Sequence, residues 1–410
     1  MSEGKQYIPD QFAGREFKTA SVTQAKASTK LYKTSSSDPA KTDDTGLGYA
    51  VGTIWTNTTS GQIFIATDVS AEEAVWKGQE GDNINEFLYQ ASSVVGKSGG
   101  HSTTSPAYQA VDIESVPVAS DGNMTDIGEM SPSLGHKGHQ KGCAKDGYPA
   151  SNVYWYGVQG SHPSDAHISE MTRHAVSSPA TLVDIGEENN AHSSGTQGQS
   201  KTNWFTWGGG GFAPAADGLG GSPSSGVTQI EKSTFASPTT TSDSGGDLTV
   251  TVESQYGFTD LDGAKCWMAG GQTPVNAPPR SRLETIESFP TAISSGNQTD
   301  EGELSAAKYK GSGCNSTTNW YYHGQEPSTN NIYKGNFASP ETDSDIGELT
   351  ETVYRTGASS GDTNGYRYGG YNPSDVTLDT VDKFSFTSDG NASNVGEMTE
   401  PGGYVGGWQD

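Results

Sequence analysis

Two histidines and a cysteine are the residues of this 410-residue chain whose spacing comes closest to that of a metal site. His136, His139 and Cys143 follow one another within a short glycine-rich stretch. Imidazole and thiolate groups are good zinc ligands, so a transition-metal site is conceivable here. A structural zinc site needs four ligands, and this stretch offers no fourth at a fixed spacing. We therefore predict a loop surface at this place, with no bound metal and no other cofactor.

A short acidic motif recurs six times, and its carboxylates could either bind calcium or shape a tight bend. Asp accepts local backbone hydrogen bonds, Gly permits a positive φ, and the following Leu or Met can enter a core. Because the motif recurs along the chain, we predict a structural role. The copies are Asp126-Ile127-Gly128-Glu129-Met130, Asp184-Ile185-Gly186-Glu187, Gly245-Gly246-Asp247-Leu248, Asp300-Glu301-Gly302-Glu303-Leu304, Asp345-Ile346-Gly347-Glu348-Leu349 and Asn394-Val395-Gly396-Glu397-Met398.

Five large aromatic residues are candidates for stacking on the sugar rings of a surface glycan. They are Trp155, Trp204, Trp207, Trp320 and Tyr366. The alternative is that they form the core of small sheets, which is the commoner fate of such residues. The long loops near residues 136–146 and 190–226 are where a variable binding surface is expected.

Paired carboxylates and an arginine cluster would be needed for cleavage of an acidic glycan. The arginines of the repeats follow no motif, so we predict that the protein is not an enzyme, with a glycan-cleaving hydrolase as the alternative. Those arginines are Arg173, Arg280, Arg282, Arg355 and Arg367.

The spacing of the acidic motif predicts the elements that carry these residues. The glycines of successive copies lie 58, 60, 56, 45 and 49 residues apart, an interval typical of four-stranded propeller blades. Each copy follows a strand of the form Ile-x-x-Phe, and an aromatic strand ending in Gly-Gly precedes that strand. The prediction is an all-β fold in which residues 84–410 form a β-propeller.

Counting the strands predicts seven blades. There are six acidic motifs but seven Ile-x-x-Phe strands, the first of them at residues 84–87. The last aromatic strand, at Tyr404, lacks a partner. We expect it to pair with the strand at residues 84–89, which would make a composite closing blade from both ends of the chain and remove exposed sheet edges.

Composition narrows the partners. The net charge of −25 argues against nucleic acid, which requires a basic face. No apolar run approaches the length of a membrane span and no signal peptide is recognisable, so we expect neither membrane insertion nor secretion. Three cysteines, an odd number, argue against a disulfide framework and fit synthesis in a reducing cytoplasm.

The N-terminal part divides into two segments. Residues 1–49 are rich in Ser, Thr and Lys without a hydrophobic period, which predicts an extended basic anchor arm. Its candidate anchoring residues are Tyr7, Phe12, Arg15, Phe17 and Lys18. Residues 50–83 alternate and turn like a small β-hairpin module, in which Trp76 is expected to pack on Trp55.

That module resembles a small unit common in phage tail-fibre proteins, through Val51-Gly52-Thr53-Ile54-Trp55-Thr56-Asn57 and Gly61-Gln62-Ile63-Phe64. The order of strands in the repeats is similar to the kelch repeat, although the acidic motif stands where kelch blades carry a closing Trp. Residues 381–399 resemble more closely a repeat of structural proteins of marine bacteriophages.

These resemblances imply a phage virion protein, made in the host cytoplasm and placed on the exterior of the particle. The expected role is a tail or baseplate-associated appendage for attachment to a host-surface glycan or receptor, with other virion proteins as partners of the arm. A capsid decoration or head-fibre protein is the alternative within the particle.

Overall fold

The computed structural model describes residues 30–59, 62–71, 74–78, 94–98, 100, 112–118, 120–129, 154–158, 170–175, 183–189, 192–193, 195–200, 203–211, 228–235, 237, 239–260, 263–273, 281–361 and 363–409. Its elements are almost all β-strands. The chain divides into two compact units, residues 1–85 and 86–410, a boundary two residues beyond the one expected. No helix within the described residues is long and apolar enough to cross a bilayer.

The smaller unit is a four-stranded sheet rather than a hairpin. Its strands lie in the order β1-β2-β3-β4, and β1 runs parallel to β2. A short 3-10 turn at Thr45–Leu47 precedes β2. The strands are β1 (Lys30–Ser35), β2 (Tyr49–Asn57), β3 (Ile63–Asp68) and β4 (Val75–Gly78).

An aromatic cluster forms the core of the smaller unit. The rings of Trp55 and Trp76 lie 5.5 Å apart in an edge-to-face contact, which confirms the predicted packing. The indole of Trp55 donates to the carbonyl of Ser37 at 2.9 Å, and that of Trp76 to the carbonyl of Asp43 at 3.2 Å. The expectation that the arm extends to residue 49 is therefore wrong. Residues 30–49 belong to this unit because their backbone carbonyls accept hydrogen bonds from its core tryptophans. Backbone acceptors do not depend on the side chain, so this role leaves no hydrophobic period in the sequence.

The described part of the larger unit consists of small, mostly antiparallel sheets, and we call each sheet of three or more strands a blade, numbered along the chain. Blade 1 contains β5 (Val94–Ser98), β6 (Asp112–Pro117) and β7 (Thr125–Glu129). Blade 2 contains β8 (Tyr154–Val158), β9 (Glu170–Ala175) and β10 (Val183–Glu187). The ribbon of β11 (His192–Ser193) and β14 (Gly210–Gly211) flanks blade 3, which contains β12 (Thr196–Gln199), β13 (Asn203–Trp207), β15 (Gln229–Thr234) and β16 (Ser242–Asp247).

The remaining blades are complete four-stranded sheets. Blade 4 contains β17 (Tyr256–Thr259), β18 (Lys265–Ala269), β19 (Thr285–Pro290) and β21 (Thr299–Glu303), and its short β20 (Gly296–Asn297) pairs with the edge of blade 3. Blade 5 contains β22 (Ser312–Asn315), β23 (Asn319–His323), β24 (Thr329–Asn336) and β25 (Ser339–Val353). Blade 6 contains β26 (Gly357–Ser360), β27 (Asn364–Tyr368), β28 (Thr380–Ser385) and β29 (Ser393–Glu397).

The C-terminal strand β30 (Gly406–Gln409) completes blade 1, so one sheet joins both ends of the larger unit. A composite sheet was expected, but β5 was not the strand expected to pair with β30. Gly406 pairs with Ser98 and Gln409 with Val95, whereas the expected partner at residues 84–89 lies outside the described residues. The predicted count of seven is not confirmed. The described residues form six blades, one for each acidic motif. The composite sheet is not a seventh blade, because it is the blade that contains the first acidic motif.

Hydrophobic clusters join neighbouring blades. Leu248 of blade 3 packs with Met268 and Phe289 of blade 4, and Met398 of blade 6 packs with Val95 and Val116 of blade 1. The first strands of blades 3 to 6 and β30 contact one another in succession, so they lie innermost. Each thin sheet thus buries its faces against its neighbours.

Candidate functional site

The predicted glycan-stacking aromatics are core residues. Trp204, Trp207, Trp320 and Tyr366 are at most 1% exposed, so the prediction of surface contacts is wrong for these four. They lie on second strands, which the adjacent strands and blades cover on both faces. Trp155 lies on β8, the first described strand of blade 2, and the structure does not describe its side chain.

Several other candidates lie outside the described residues. These are the histidine and cysteine cluster, the loop at 136–146, most of the loop at 190–226 and all five anchor residues: His136, His139, Cys143, Tyr7, Phe12, Arg15, Phe17 and Lys18. Within the described part of the chain, no group of three or more His, Cys, Asp or Glu side chains is arranged to hold a metal ion.

The acidic motif proves to be a bulge within the outermost strand of each blade rather than a turn between strands. In all six copies an Asp or Asn side chain accepts a hydrogen bond from the glycine N–H two residues later, at 2.7 to 3.2 Å. In the third copy the acceptor is Asp243, upstream of the residues assigned to that copy from the sequence. The predicted local role of these side chains is confirmed.

The glycine of the bulge lies against the next blade. A Cβ atom on Gly347 would lie 2.2 Å from the carbonyl oxygen of Gly390, and one on Gly396 would lie 2.0 Å from that of Gly122. Both distances are far below van der Waals contact. The motif therefore combines a side chain that fixes the bulge with a glycine that lets the neighbouring backbone approach.

A cavity of about 160 Å³ lies among the innermost strands. Its described lining consists of small, hydroxyl, amide, apolar and aromatic side chains with one thiol, and contains no charged group. Thr196, Gln197, Ser359 and Asn315 are among the polar members. Such a lining can hydrogen-bond a neutral group, and its described part contains none of the carboxylates that glycoside hydrolysis uses as acid, base or nucleophile.

Four residues with left-handed backbone conformation precede the innermost strands at one end of this cavity. They are Ser254, Lys310, Arg355 and Tyr404, with φ of 59°, 61°, 57° and 56°. Backbone hydrogen bonds join them in a chain from blade to blade: Lys310 N–H to Ser254 at 3.0 Å, Arg355 N–H to Lys310 at 2.7 Å and Tyr404 N–H to Arg355 at 2.8 Å. We call this set the mouth residues.

The side chain of Arg355 is surrounded by tyrosines. Its guanidinium carbon lies 4.4 Å from the centre of the Tyr404 ring, 5.2 Å from that of Tyr354 and 5.6 Å from that of Tyr371. Tyr354 and Tyr371 are buried, and Arg355 and Tyr404 are half-buried. Cation–π contacts with these rings hold the guanidinium in place.

Two carboxylates lie beside this cluster, and each already has a partner. Glu326 accepts from Lys310 at 2.7 Å and from the Tyr309 hydroxyl at 2.8 Å. Burial raises the pKa of Glu326, but these hydrogen bonds outweigh it and hold the pKa below its ordinary value. Asp375 accepts from the Tyr354 hydroxyl, and burial together with this bond raises the pKa of Tyr354 to about 12.

Arg355 is not among the predicted binding residues, because the arginines of the sequence follow no common motif. A usable signal was present, since each mouth residue stands just before a first strand that contains glycine, as in Arg355-Thr356-Gly357 and Tyr404-Val405-Gly406. Aligning the repeats on that strand would have placed Arg355 beside Tyr404 and Lys310.

Comparison with known proteins gives a fold and no family. No protein-family model matches the sequence, and no curated protein matches it. The solved structure of YjhT is similar in fold, with a TM-score of 0.50 and 10% sequence identity over 66% of this chain and 87% of that one. At this identity the likeness shows the fold alone. The chain has an all-β fold of the β-propeller type.

Proposed function

We propose that this chain is a structural protein on the exterior of a bacteriophage particle, and that its larger unit is displayed for attachment to a host-surface glycan or receptor. A tail or baseplate-associated appendage is the preferred location. The proposal combines the resemblance of the smaller unit to tail-fibre modules with the surface that this unit presents.

The exposed face of the smaller sheet is the observation that carries the proposal. Tyr32, Ile54 and Ile65 pair across three adjacent strands and form an apolar row, with 64%, 39% and 47% of their surfaces exposed. A contiguous apolar patch on a small sheet is typical of a surface that is covered by a partner. We assign the partner as another protein of the particle. We also assign residues 1–29, which lead into β1, to the contact with that protein.

A binding role fits the mouth of the larger unit better than a catalytic one. A glycosidase needs one carboxylic acid that stays protonated to protonate the leaving oxygen. The pKa of Glu326 is lowered rather than raised, and Asp375 is occupied by a tyrosine hydroxyl. Glu326 is therefore not prepared to donate a proton at neutral pH.

We further propose that the larger unit is a closed ring of six blades. Contacts between innermost strands connect blades 3, 4, 5 and 6 in succession and then connect blade 6 to the composite blade 1. A bridge between Glu187 and Thr240 connects blade 2 to blade 3. Closure requires only a junction between blades 1 and 2.

The test is incorporation of the chain into particles. Particles assembled with a Tyr32→Ser, Ile54→Ser, Ile65→Ser variant should carry at least tenfold less of the chain than wild-type particles, as measured by quantitative immunoblot. Because these side chains are exposed, the variant should still fold, and its thermal unfolding serves as the check. Substituting Val250→Ser, an exposed apolar residue of the larger unit, provides the control.

Electron cryomicroscopy of wild-type particles should place the chain on the tail or baseplate. Density on the capsid would favour the decoration or head-fibre alternative. Normal copy number of the triple variant would contradict the proposed role of the apolar row, and release of reducing ends from host polysaccharide by the purified protein would favour the hydrolase.

A further inference from the structure

Arg355 carries a charge that the described protein does not neutralise directly. No described residue accepts a hydrogen bond from its guanidinium or forms an ion pair with it, and its Nε is buried without a partner. Glu326, which acts on it only at longer range, is already paired with Lys310. An arginine with free donors is notable in a chain with a net charge of −25, where acceptors are abundant.

The backbone conformation of the mouth residues indicates that their side chains are needed. The mouth residues adopt a conformation that glycine takes up readily and other residues take up at a cost in free energy. The chain has 54 glycines, yet these four positions carry Ser, Lys, Arg and Tyr. Strained non-glycine residues that persist in a structure are often retained for what their side chains do.

The surroundings of Arg355 define the class of its ligand. A guanidinium held by contacts with aromatic rings, with no acceptor from the described protein, keeps its terminal N–H groups available for two parallel bonds to a carboxylate. The half-buried ring of Tyr404 adds an apolar surface of the kind on which sugar C–H groups pack. The hydroxyl- and amide-lined cavity begins at the residues next to it, Val405 and Gly406.

We propose that Arg355 and Tyr404 form a binding site for a saccharide that carries a carboxylate. The inference rests on the proposed function and deepens it, because it names the chemistry of the host-surface glycan. The Arg355 guanidinium binds the carboxylate, Tyr404 and Tyr371 hold the guanidinium in place, and the paired Lys310 and Glu326 border the site without competing for the ligand charge.

The test compares two probes that differ in the carboxylate alone. Oligogalacturonate and its carboxyl-reduced form of equal length are titrated into the full chain by isothermal calorimetry. The acidic probe should bind at least tenfold more tightly than the reduced one. Arg355→Gln should lower the affinity for the acidic probe at least tenfold. Arg355→Lys should keep only part of the wild-type affinity, because an ammonium group cannot form the bidentate contact.

Lys334→Gln is the matched control for loss of a positive charge, since Lys334 pairs with Asp389 and lies outside the mouth. It should leave the affinity for the acidic probe unchanged. Arg355→Gln should unfold at the temperature of the wild type within a few degrees, which separates loss of binding from loss of folding. Tyr404→Leu should weaken acidic-probe binding about as much as Arg355→Gln does.

Equal binding of the two probes, no binding of either, or undiminished affinity in Arg355→Gln would overturn the proposal. Its failure is distinguishable from failure of the proposed function. Particles that incorporate the chain normally while the purified protein ignores the carboxylate would refute this inference alone, and carboxylate-dependent binding by a chain absent from particles would refute the virion role alone.

Discussion

Thr350 of blade 5 donates two hydrogen bonds to the buried carboxylate of Asp382 in blade 6. The hydroxyl reaches one oxygen at 2.6 Å and the backbone N–H reaches the other at 3.2 Å. At the equivalent place, the backbone N–H of Thr399 in blade 6 donates to Glu114 of blade 1, and the hydroxyl of Thr249 in blade 3 donates to Glu287 of blade 4. A threonine just after the acidic motif thus links one blade to a buried acid of the next, with Ser305 and Asp343 as the variant between blades 4 and 5.

Replacing this threonine hydroxyl should destabilise the larger unit. Thr350→Val keeps the side-chain volume but leaves one oxygen of a fully buried Asp382 without its closest donor, which should cost about 2 kcal/mol. Denaturant unfolding measures the loss. Thr352→Val, two residues along the same strand, should change stability by less than about 0.5 kcal/mol. Equal effects of the two substitutions would contradict the role of the Thr350 contact.

The acidic motif should depend on an acceptor side chain and not on a negative charge. Asp300 accepts from the N–H of Gly302 at 3.1 Å, and Asn394 makes the same contact in the last copy. Asp300→Ala should therefore lower stability by about 1 kcal/mol, and Asp300→Asn should be close to neutral. A calcium site would show the reverse, with Asp300→Asn harmful and the melting temperature sensitive to chelator.

The bulge glycines should resist substitution because the next blade lies against them. Gly347→Ala would place a Cβ atom 2.2 Å from the Gly390 carbonyl oxygen, and we expect a loss of about 2 kcal/mol or more. Gly122→Ala is the control, since a Cβ atom there would meet nothing within 4 Å. Thermal unfolding of both variants checks the contrast, and a neutral Gly347→Ala would disprove the close contact between blades 5 and 6.

His323 should make the larger unit sensitive to acid. Burial, together with the nearby charge of Arg367, lowers the pKa of His323 to about 3. Since the unfolded chain protonates this histidine near its ordinary pKa of 6.5, unfolding takes up a proton between those values. Stability should therefore fall as the pH decreases from about 6.5 towards 3, by roughly 1 kcal/mol per pH unit from this group.

Measuring unfolding of wild type and His323→Gln between pH 7 and pH 4 isolates that contribution. The wild type should lose stability more steeply, because glutamine does not titrate. Parallel curves for the two proteins would mean that the histidine is protonated in the folded state as readily as in the unfolded one.

The C-terminal strand should be needed for the whole larger unit. Removing residues 404–410 deletes β30 and exposes the edge of β5, and the melting temperature should fall by about 5 °C or more. Adding a peptide of residues 402–410 in excess should restore part of the loss. An unchanged melting temperature would show that the composite sheet contributes no stability.

The sequence alone determined the class of fold and its repeat. The period of the acidic motif predicted small sheets of propeller type, the unpaired strand near Tyr404 predicted a sheet made from both ends, and Trp55 with Trp76 predicted the core of the smaller unit. These features depend on local chemistry that repeats, namely an Asx side chain bonding a glycine N–H and aromatic residues alternating along strands.

Only the tertiary structure decided which side chains are available. Trp204, Trp320 and Tyr366 looked like binding residues but are covered by the neighbouring blades, because second strands are enclosed on both faces. Arg355 looked incidental, yet Tyr371 and Tyr404, which are distant in sequence, join its neighbour Tyr354 around it. The number of blades among the described residues likewise follows from the pairing between β5 and β30, which no local pattern encodes. Contacts between blades depend on how separate repeats assemble, and the sequence of a single repeat does not specify which residues of other repeats will pack against it.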